Sequence, residues 1–257
     1  MLQPRVIPCL LLHNGGLVKT VKFKKPCYVG DPINTVKIFN EKEVDELMIF
    51  DIDATIEQRD PFYGQIEDIV SEAFFPVCYG GGVKSVEQMH RLFTLGVEKI
   101  SISSAVVENP MLIEEAAKEF GSQSIVVTLD VKKTLLGIRY NIVTYNATRD
   151  TGQNVLEMAK RIEKLGAGEI SINNVDHDGC MQGYDINLIK QITNAVKIPV
   201  IALGGAGTIN DLQDVVKKGG ASAASAGSLF IFHGKYRAVL INYPTREELN
   251  KLFQEDQ

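Results

Sequence analysis

Eight short β-rich runs separated by helical stretches, in a chain of 257 residues, predict an α/β fold of the (βα)8 TIM-barrel type. Three observations carry this. Strands alternating with helices imply a parallel sheet. Eight such units in about 250 residues match the usual size of the closed barrel. An internal repeat, in which Gly81 and Gly204 lie 123 positions apart and Asp53 and Asp176 the same distance, fits a half-barrel duplicated and fused. An open doubly wound sheet is the competing architecture, and chance likeness between units the competing account of the repeat. Residues 1–257 are read as one barrel domain.

Arg5–Leu12 is the first strand, and a long lysine-bearing segment, His13–Tyr28, follows as a loop able to fold over an anionic ligand. Asp31 caps a helix that starts with Pro32 and runs to Glu43. Strand two is Glu46–Ile52, followed by a helix over Pro61–Phe74. Strand three, Val77–Tyr79, runs into Gly80-Gly81-Gly82. The helix Val86–Leu95 stops at Gly96, a C-terminal glycine signal. Strand four is Lys99–Ser103, helix four Met111–Phe120 and strand five Ser124–Asp130. Alternation around Gly137 over Lys132–Asn146 marks a β-hairpin insertion. The pattern resumes with a helix over Val155–Leu165, strand six at Glu169–Asn173 and a helix over Asn187–Ala195. Strand seven (Pro199–Leu203), a helix (Asp211–Lys218), strand eight (Ala221–Ala226) and a closing helix (Arg246–Phe253) complete the series.

Composition narrows the function classes. With Lys+Arg 27 against Asp+Glu 32 the net charge is −5, which excludes a basic protein that coats nucleic acid. No apolar run approaches the ~20 residues of a membrane span, and no secretory leader is read at the N-terminus. Cys9, Cys27, Cys78 and Cys180 are widely spaced, so they read as reduced thiols of a cytoplasmic protein rather than a zinc site or disulfide frame. No cofactor is called for.

In such a barrel the chemistry sits at the C-terminal strand ends. Gly80-Gly81-Gly82 and Gly204-Gly205-Ala206-Gly207 both fall there, and glycine lets backbone N–H groups close around a phosphate. Each loop has a small hydroxyl neighbour at the next strand end, Ser103-Ser104 and Gly227-Ser228. Two equivalent anion sites across one mouth point to a small molecule with a phosphate at each end, although tight turns alone would also explain such glycines. Asp130 ends strand five, where a carboxylate can move a proton or hold a hydroxyl; a loop cap is the plainer reading. Asp51 and Asp176 end strands two and six with the same ambiguity. His13 and His177 also lie at strand ends, where solvated loop histidines are common.

Taken together, VIPCLLLHNGGLVK, Gly30-Asp31-Pro32, DELMIFDIDA, YGGGVKS, VEKISISSAVVENP, GSQSIVVTLD, GAGEISINNVDHDG and ALGGAGT make the chain resemble, nearly end to end, the HisF-like barrels, the cyclase subunit of imidazole glycerol phosphate synthase. The resemblance implies ammonia delivered by a separate HisH-like glutaminase and passed through the barrel to a bis-phosphorylated ribonucleotide. It adds Asp178 and Gly179 to the phosphate-binding set and gives Lys19, Asp51 and Asp176 substrate contacts. Two aspartates do the family's acid–base work. Strand five keeps one as Asp130, whereas strand one carries Leu11, and Ser103-Ser104 stands where Asn-Thr is usual. At the opposite face the resemblance implies an ammonia gate of Arg5, Glu46, Lys99 and Glu169, a set that would also read as a plain salt-bridge cluster. Glu98 and Gln123 match glutaminase-contact positions. An entrance kept while one acid is lost is similar to a divergent branch found with surface-polysaccharide genes. That branch implies a further partner, an ATP-dependent N-acetyl sugar amidotransferase, and a role in lipopolysaccharide biosynthesis; the alternative is the histidine-pathway cyclase.

Overall fold

A computed structural model describes residues 3–134, 137 and 139–254. Eight parallel strands form the barrel: β1 (Arg5–His13), β2 (Leu47–Asp51), β3 (Val77–Gly80), β4 (Lys99–Ile102), β5 (Ile125–Lys133), β6 (Glu169–Asn174), β7 (Val200–Leu203) and β8 (Ala223–Ala226). Sequential neighbours pair from β2 to β5, β6 pairs with β5 and β7, β7 with β8, and β1 with both β2 and β8. The ring is therefore closed, and the open sheet is excluded.

The outward residues of these strands pack on the surrounding helices, joining Val6, Leu10, Ile49, Ile100, Val127 and Ile170 to helix residues such as Phe39, Met89, Ile162 and Ile189. A second, smaller apolar cluster fills the bore and includes Ile7, Cys9, Met48, Cys78, Val126 and Ile201. Alternation along a strand sends successive side chains to these two cores in turn. Helix starts follow local chemistry: Asp31 accepts from the Asn34 N–H ahead of Pro32, and Ser85 and Gln88 cap each other reciprocally.

The connections differ from expectation in three places. His13–Tyr28 is not a loop: β1 continues to His13, then Gly16–Val21 and Lys24–Gly30 form an antiparallel hairpin attached to β1. Its turns use left-handed backbone at Asn14, Lys22, Phe23 and Lys25, which concealed the strands behind apparent loop chemistry. The hairpin insertion after strand five, in which Tyr140–Thr144 runs antiparallel to β5, gains a further strand, Arg149–Asn154, antiparallel to Tyr140–Thr144. Part of the expected turn around Gly137 lies outside the described residues. Short helices over Ser104–Glu108 and Ser228–Ile231 follow β4 and β8, where five and four residues gave no periodic signal.

Candidate functional site

At the C-terminal ends of the strands lies a cavity of about 340 Å³. Its wall contains Asp130, Lys19, Asp51, Asp178, Gly179, Gly81, Gly82, Ser103, Ser104, Gly204, Gly205, Gly227 and Ser228. The sequence-predicted set thus converges on one space, apart from Asp176. That carboxylate instead accepts from the Lys133 N–H at 3.0 Å, holding the β5 extension.

The two glycine loops face each other across this mouth. Gly81 and Gly205 have φ of +118° and +122°, and a Cβ on either would run into backbone, of Asp51 and Gly183 respectively. Only glycine fits these positions, so the loops owe their shape to sequence and leave backbone and short hydroxyl side chains on the cavity wall.

Asp130 lies between the loops at the end of β5. Burial, opposed by a hydrogen bond from Asn173 Nδ2 at 2.9 Å and helped by the nearby Asp178, pushes its carboxyl up to about 7. A carboxyl of this kind holds and releases a proton near neutrality. Leu11, register partner of Phe50, also lines the cavity. The floor therefore has an apolar side (Leu11, Phe50, Leu203) and a polar side (Ser101, Thr128, Asp130, Asn173).

Lys19 stands on the first strand of the 16–30 hairpin, which folds over the mouth. Its ammonium bonds the Cys9 carbonyl and lies so close to Gly227 that a Cβ there would strike it. Burial lowers its pKa, partly offset by Cys9 and Asp178. Thr20 Oγ1 donates to Asp178 at 3.0 Å and Lys22 N–H to the Asp178 carbonyl at 2.9 Å, which pins the hairpin on the Asp178-Gly179 loop. Burial raises the Asp178 carboxyl, with Lys19 opposing. A buried lysine thus sits beside the Gly227–Ser228 loop.

Asp51 is committed to its own loop: it takes a salt bridge from Arg59 at 2.8 Å and the backbone N–H of Asp53 and Ala54. Arg59 also lines the cavity, and sequence reasoning missed it because it stands eight residues beyond the strand end. Tyr145 and Asn146, at the turn of the inserted hairpin, reach the same wall; Asn146 donates to the Ile52 carbonyl at 2.8 Å. Asn173 was missed although alternation from Glu169 points it inward. His13 pairs with Asp53 at 2.7 Å and His177 with the Gly183 carbonyl at 2.9 Å; neither lines the cavity.

At the other end of the bore, Arg5, Glu46, Lys99 and Glu169 form a closed ring of alternating charge. Arg5 bridges Glu46 at 2.5 Å and Glu169 at 3.0 Å; Lys99 bridges the same two carboxylates at 2.9 and 3.2 Å. Each glutamate uses one oxygen, leaving Glu46 Oε1 and Glu169 Oε2 buried without a partner among the described residues. Glu98 accepts from the Val77 N–H at 2.7 Å. The described residues include no cluster of three or more His, Cys, Asp or Glu able to hold a metal, and no helix long and apolar enough to cross a membrane.

A closed (βα)8 barrel with repeated glycine loops flanking a buried carboxyl, and an ionic ring at its far end, defines a class of barrel with a reactive mouth and a polar base. Sequence comparison makes this specific. The sequence model described as "Histidine biosynthesis protein" matches residues 5–237. A protein of Vibrio vulnificus (strain YJ016) named "Putative imidazole glycerol phosphate synthase subunit hisF3" is 52% identical over 254 residues, covering 99% of this chain and 98% of that one. One of Pseudomonas aeruginosa PAO1, named "Putative imidazole glycerol phosphate synthase subunit hisF2", is 51% identical over 252 residues, covering 98% and 99%. The "Imidazole glycerol phosphate synthase subunit HisF" of Natranaerobius thermophilus is 42% identical over 243 residues, covering 95% and 96%. The chain belongs to the histidine biosynthesis protein family, as a HisF-like member.

Proposed function

We propose that this chain is the synthase subunit of a glutamine-dependent amidotransferase of the imidazole glycerol phosphate synthase kind. A bis-phosphorylated ribonucleotide spans the mouth, one phosphate at Gly81-Gly82 and Ser103-Ser104, the other at Gly204-Gly205, Gly227-Ser228 and Asp178-Gly179. The carrying observation is that both loops and Asp130 share one cavity. Lys19, buried beside Gly227, supplies the countercharge for the second phosphate. Asp130 moves the proton, its carboxyl being balanced near neutral pH. Ammonia comes from a HisH-like glutaminase docked at the ionic-ring end, where Arg5, Glu46, Lys99 and Glu169 gate its entry. The test is turnover of the bis-phosphorylated ribonucleotide by the purified chain supplied with ammonium salt: product is expected, and its absence removes this reading.

Leu11 favours a second reading. An apolar side chain at the tip of strand one leaves the mouth with Asp130 as its central acid–base group, and losing a positioned partner costs about 10²–10⁴-fold in rate. The chain would then serve chiefly as the ammonia-receiving partner of an ATP-dependent N-acetyl sugar amidotransferase in lipopolysaccharide biosynthesis. Under this reading the ribonucleotide assay stays blank, and sugar amidation by the assembled subunits requires the chain. Leu11→Asp discriminates further, because it raises ribonucleotide turnover only where the rest of the pocket is intact.

A further inference from the structure

Ser171 is completely buried, and its Oγ has no hydrogen-bond partner among the described residues. An orphaned buried hydroxyl is uncommon enough to need a reason. Its position supplies one. On β6, Ile170 and Ile172 face the helices, so Glu169, Ser171 and Asn173 face the bore. Glu169 belongs to the ionic ring and Asn173 to the cavity wall, which puts Ser171 midway between them, about 6.6 Å along the strand from each. Its register partner on β5 is Thr128, itself bonded to Ser101 at 2.7 Å. Glu169 and Asn173 carry orphaned oxygens as well, Oε2 and Oδ1. Around it the bore carries the apolar Ile7, Met48, Cys78, Val126 and Ile201, and its other hydroxyls are already bonded, Ser101 and Thr128 to each other and Ser225 to the Ile7 carbonyl at 2.9 Å.

We propose that Ser171 is a binding station for a single neutral ammonia molecule, on a polar track that runs up β6 from the ionic ring to Asp130. This rests on the ammonia-receiving reading above and goes beyond it by assigning the path to one wall and a stopping point to one hydroxyl. The chemistry fits. Ammonia offers three N–H donors and one lone pair, and the track offers oxygen acceptors spaced along it. An ammonium ion would be held back, because the apolar wall opposite gives a buried cation no second partner. The track therefore carries the neutral molecule, and it starts at Glu46 Oε1 and Glu169 Oε2, which have no partner among the described residues.

The test compares two nitrogen sources in the complex with the glutaminase. Ser171→Ala removes the hydroxyl without adding bulk. Glutamine-driven product should fall about three- to tenfold, the worth of one hydrogen bond in the transit barrier, while ammonium-driven product, which enters from the mouth, stays unchanged. An unchanged ratio of the two rates in Ser171→Ala overturns the station. A wild-type complex that makes no product from glutamine, neither from the ribonucleotide nor by sugar amidation with the acceptor enzyme added, instead removes the ammonia-receiving reading. A crystal structure of the chain gives a second readout: a discrete solvent peak within about 3.2 Å of Ser171 Oγ, absent from Ser171→Ala, is expected. A dry bore at Ser171 overturns the proposal, and a peak with an unchanged rate ratio marks a water site only and overturns it as well.

Discussion

Strands β2 and β6 are the same element used twice, and they diverge from the base of the barrel upward. The inward positions just before and along β2 are Glu46, Met48 and Phe50; those of β6, each 123 residues later, are Glu169, Ser171 and Asn173. At the base the two glutamates are equivalent, each bridging Arg5 and Lys99. One level up, β2 has a thioether where β6 has a hydroxyl without a partner among the described residues. At the mouth, the Phe50 ring lies against Gly80, whereas Asn173 donates to Asp130. Duplication thus kept a symmetric ring and left an asymmetric reactive end. At their inward positions, β2 gives the mouth shape and apolar surface, and β6 gives it a hydrogen bond that tunes the acid.

The sharpest way to break this contrast is at the acid itself. Asp130→Asn should reduce ribonucleotide turnover about 10²–10⁴-fold, with ligand affinity largely kept, in steady-state assays that separate kcat from KM. The same variant has a stability signature of fixed sign. The folded carboxyl titrates near 7 and the unfolded one near 3.8, so the folded chain holds the extra proton between those values and loses stability as pH rises through that window. Melting of the wild type relative to Asp130→Asn should therefore worsen from pH 4 to pH 8. A constant difference would mean that the carboxyl is not held out of water.

The symmetric end makes the opposite demand. Glu46→Ala and Glu169→Ala each leave Arg5 and Lys99 facing one carboxylate in place of two. Removing one member of a largely buried ion pair costs about 3 kcal/mol, and the two losses should agree within about 1 kcal/mol in denaturant titrations. Glu46 is the more buried, with a side chain 3% exposed against 12%, so it carries the larger loss. Arg5→Ala, at a side chain 27% exposed, should cost less than either. A large inequality between the glutamates would show that the ring is not the balanced unit that its geometry describes.

How far the sequence discloses this molecule follows from the range of the forces involved. The barrel is legible because strand and helix periodicity are local, and Gly81, Gly205 and the caps at Asp31 and Ser85 are dictated within a few residues. The ring is legible through the family resemblance, which assigns Arg5, Glu46, Lys99 and Glu169, each at the start of its strand, to the base of the barrel. The 16–30 hairpin is not: its strands sit among lysines and left-handed turn residues, and it is held by long-range bonds from Thr20 and Lys22 to Asp178. Arg59 and Asn146 escaped for the same reason, since each acts on the mouth from a loop whose path tertiary contacts decide. For Asp51 and Asp176 the sequence leaves a substrate contact and a loop cap both open, because their partners, Arg59 and the Lys133 N–H, are set by tertiary contacts.

The finest test of the asymmetry is the hydrogen bond that has no counterpart in the other half. Asn173 Nδ2 is the one neighbour that lowers the Asp130 carboxyl, working against burial and Asp178. A hydrogen bond to a charged group carries about 1.5 kcal/mol, and one pH unit corresponds to about 1.4 kcal/mol. Asn173→Ala should therefore move the carboxyl's titration midpoint up by about one pH unit, read as the inflection of kcat/KM against pH or by carboxyl-carbon NMR in the chain without ligand. Phe50→Ala, on the half-barrel counterpart, removes an apolar neighbour and supplies no donor, so it should leave that inflection in place or lower it as water enters. If the two substitutions move the midpoint in the same direction and by the same amount, the acid is tuned by burial alone and the polar wall of β6 has no special hold on it.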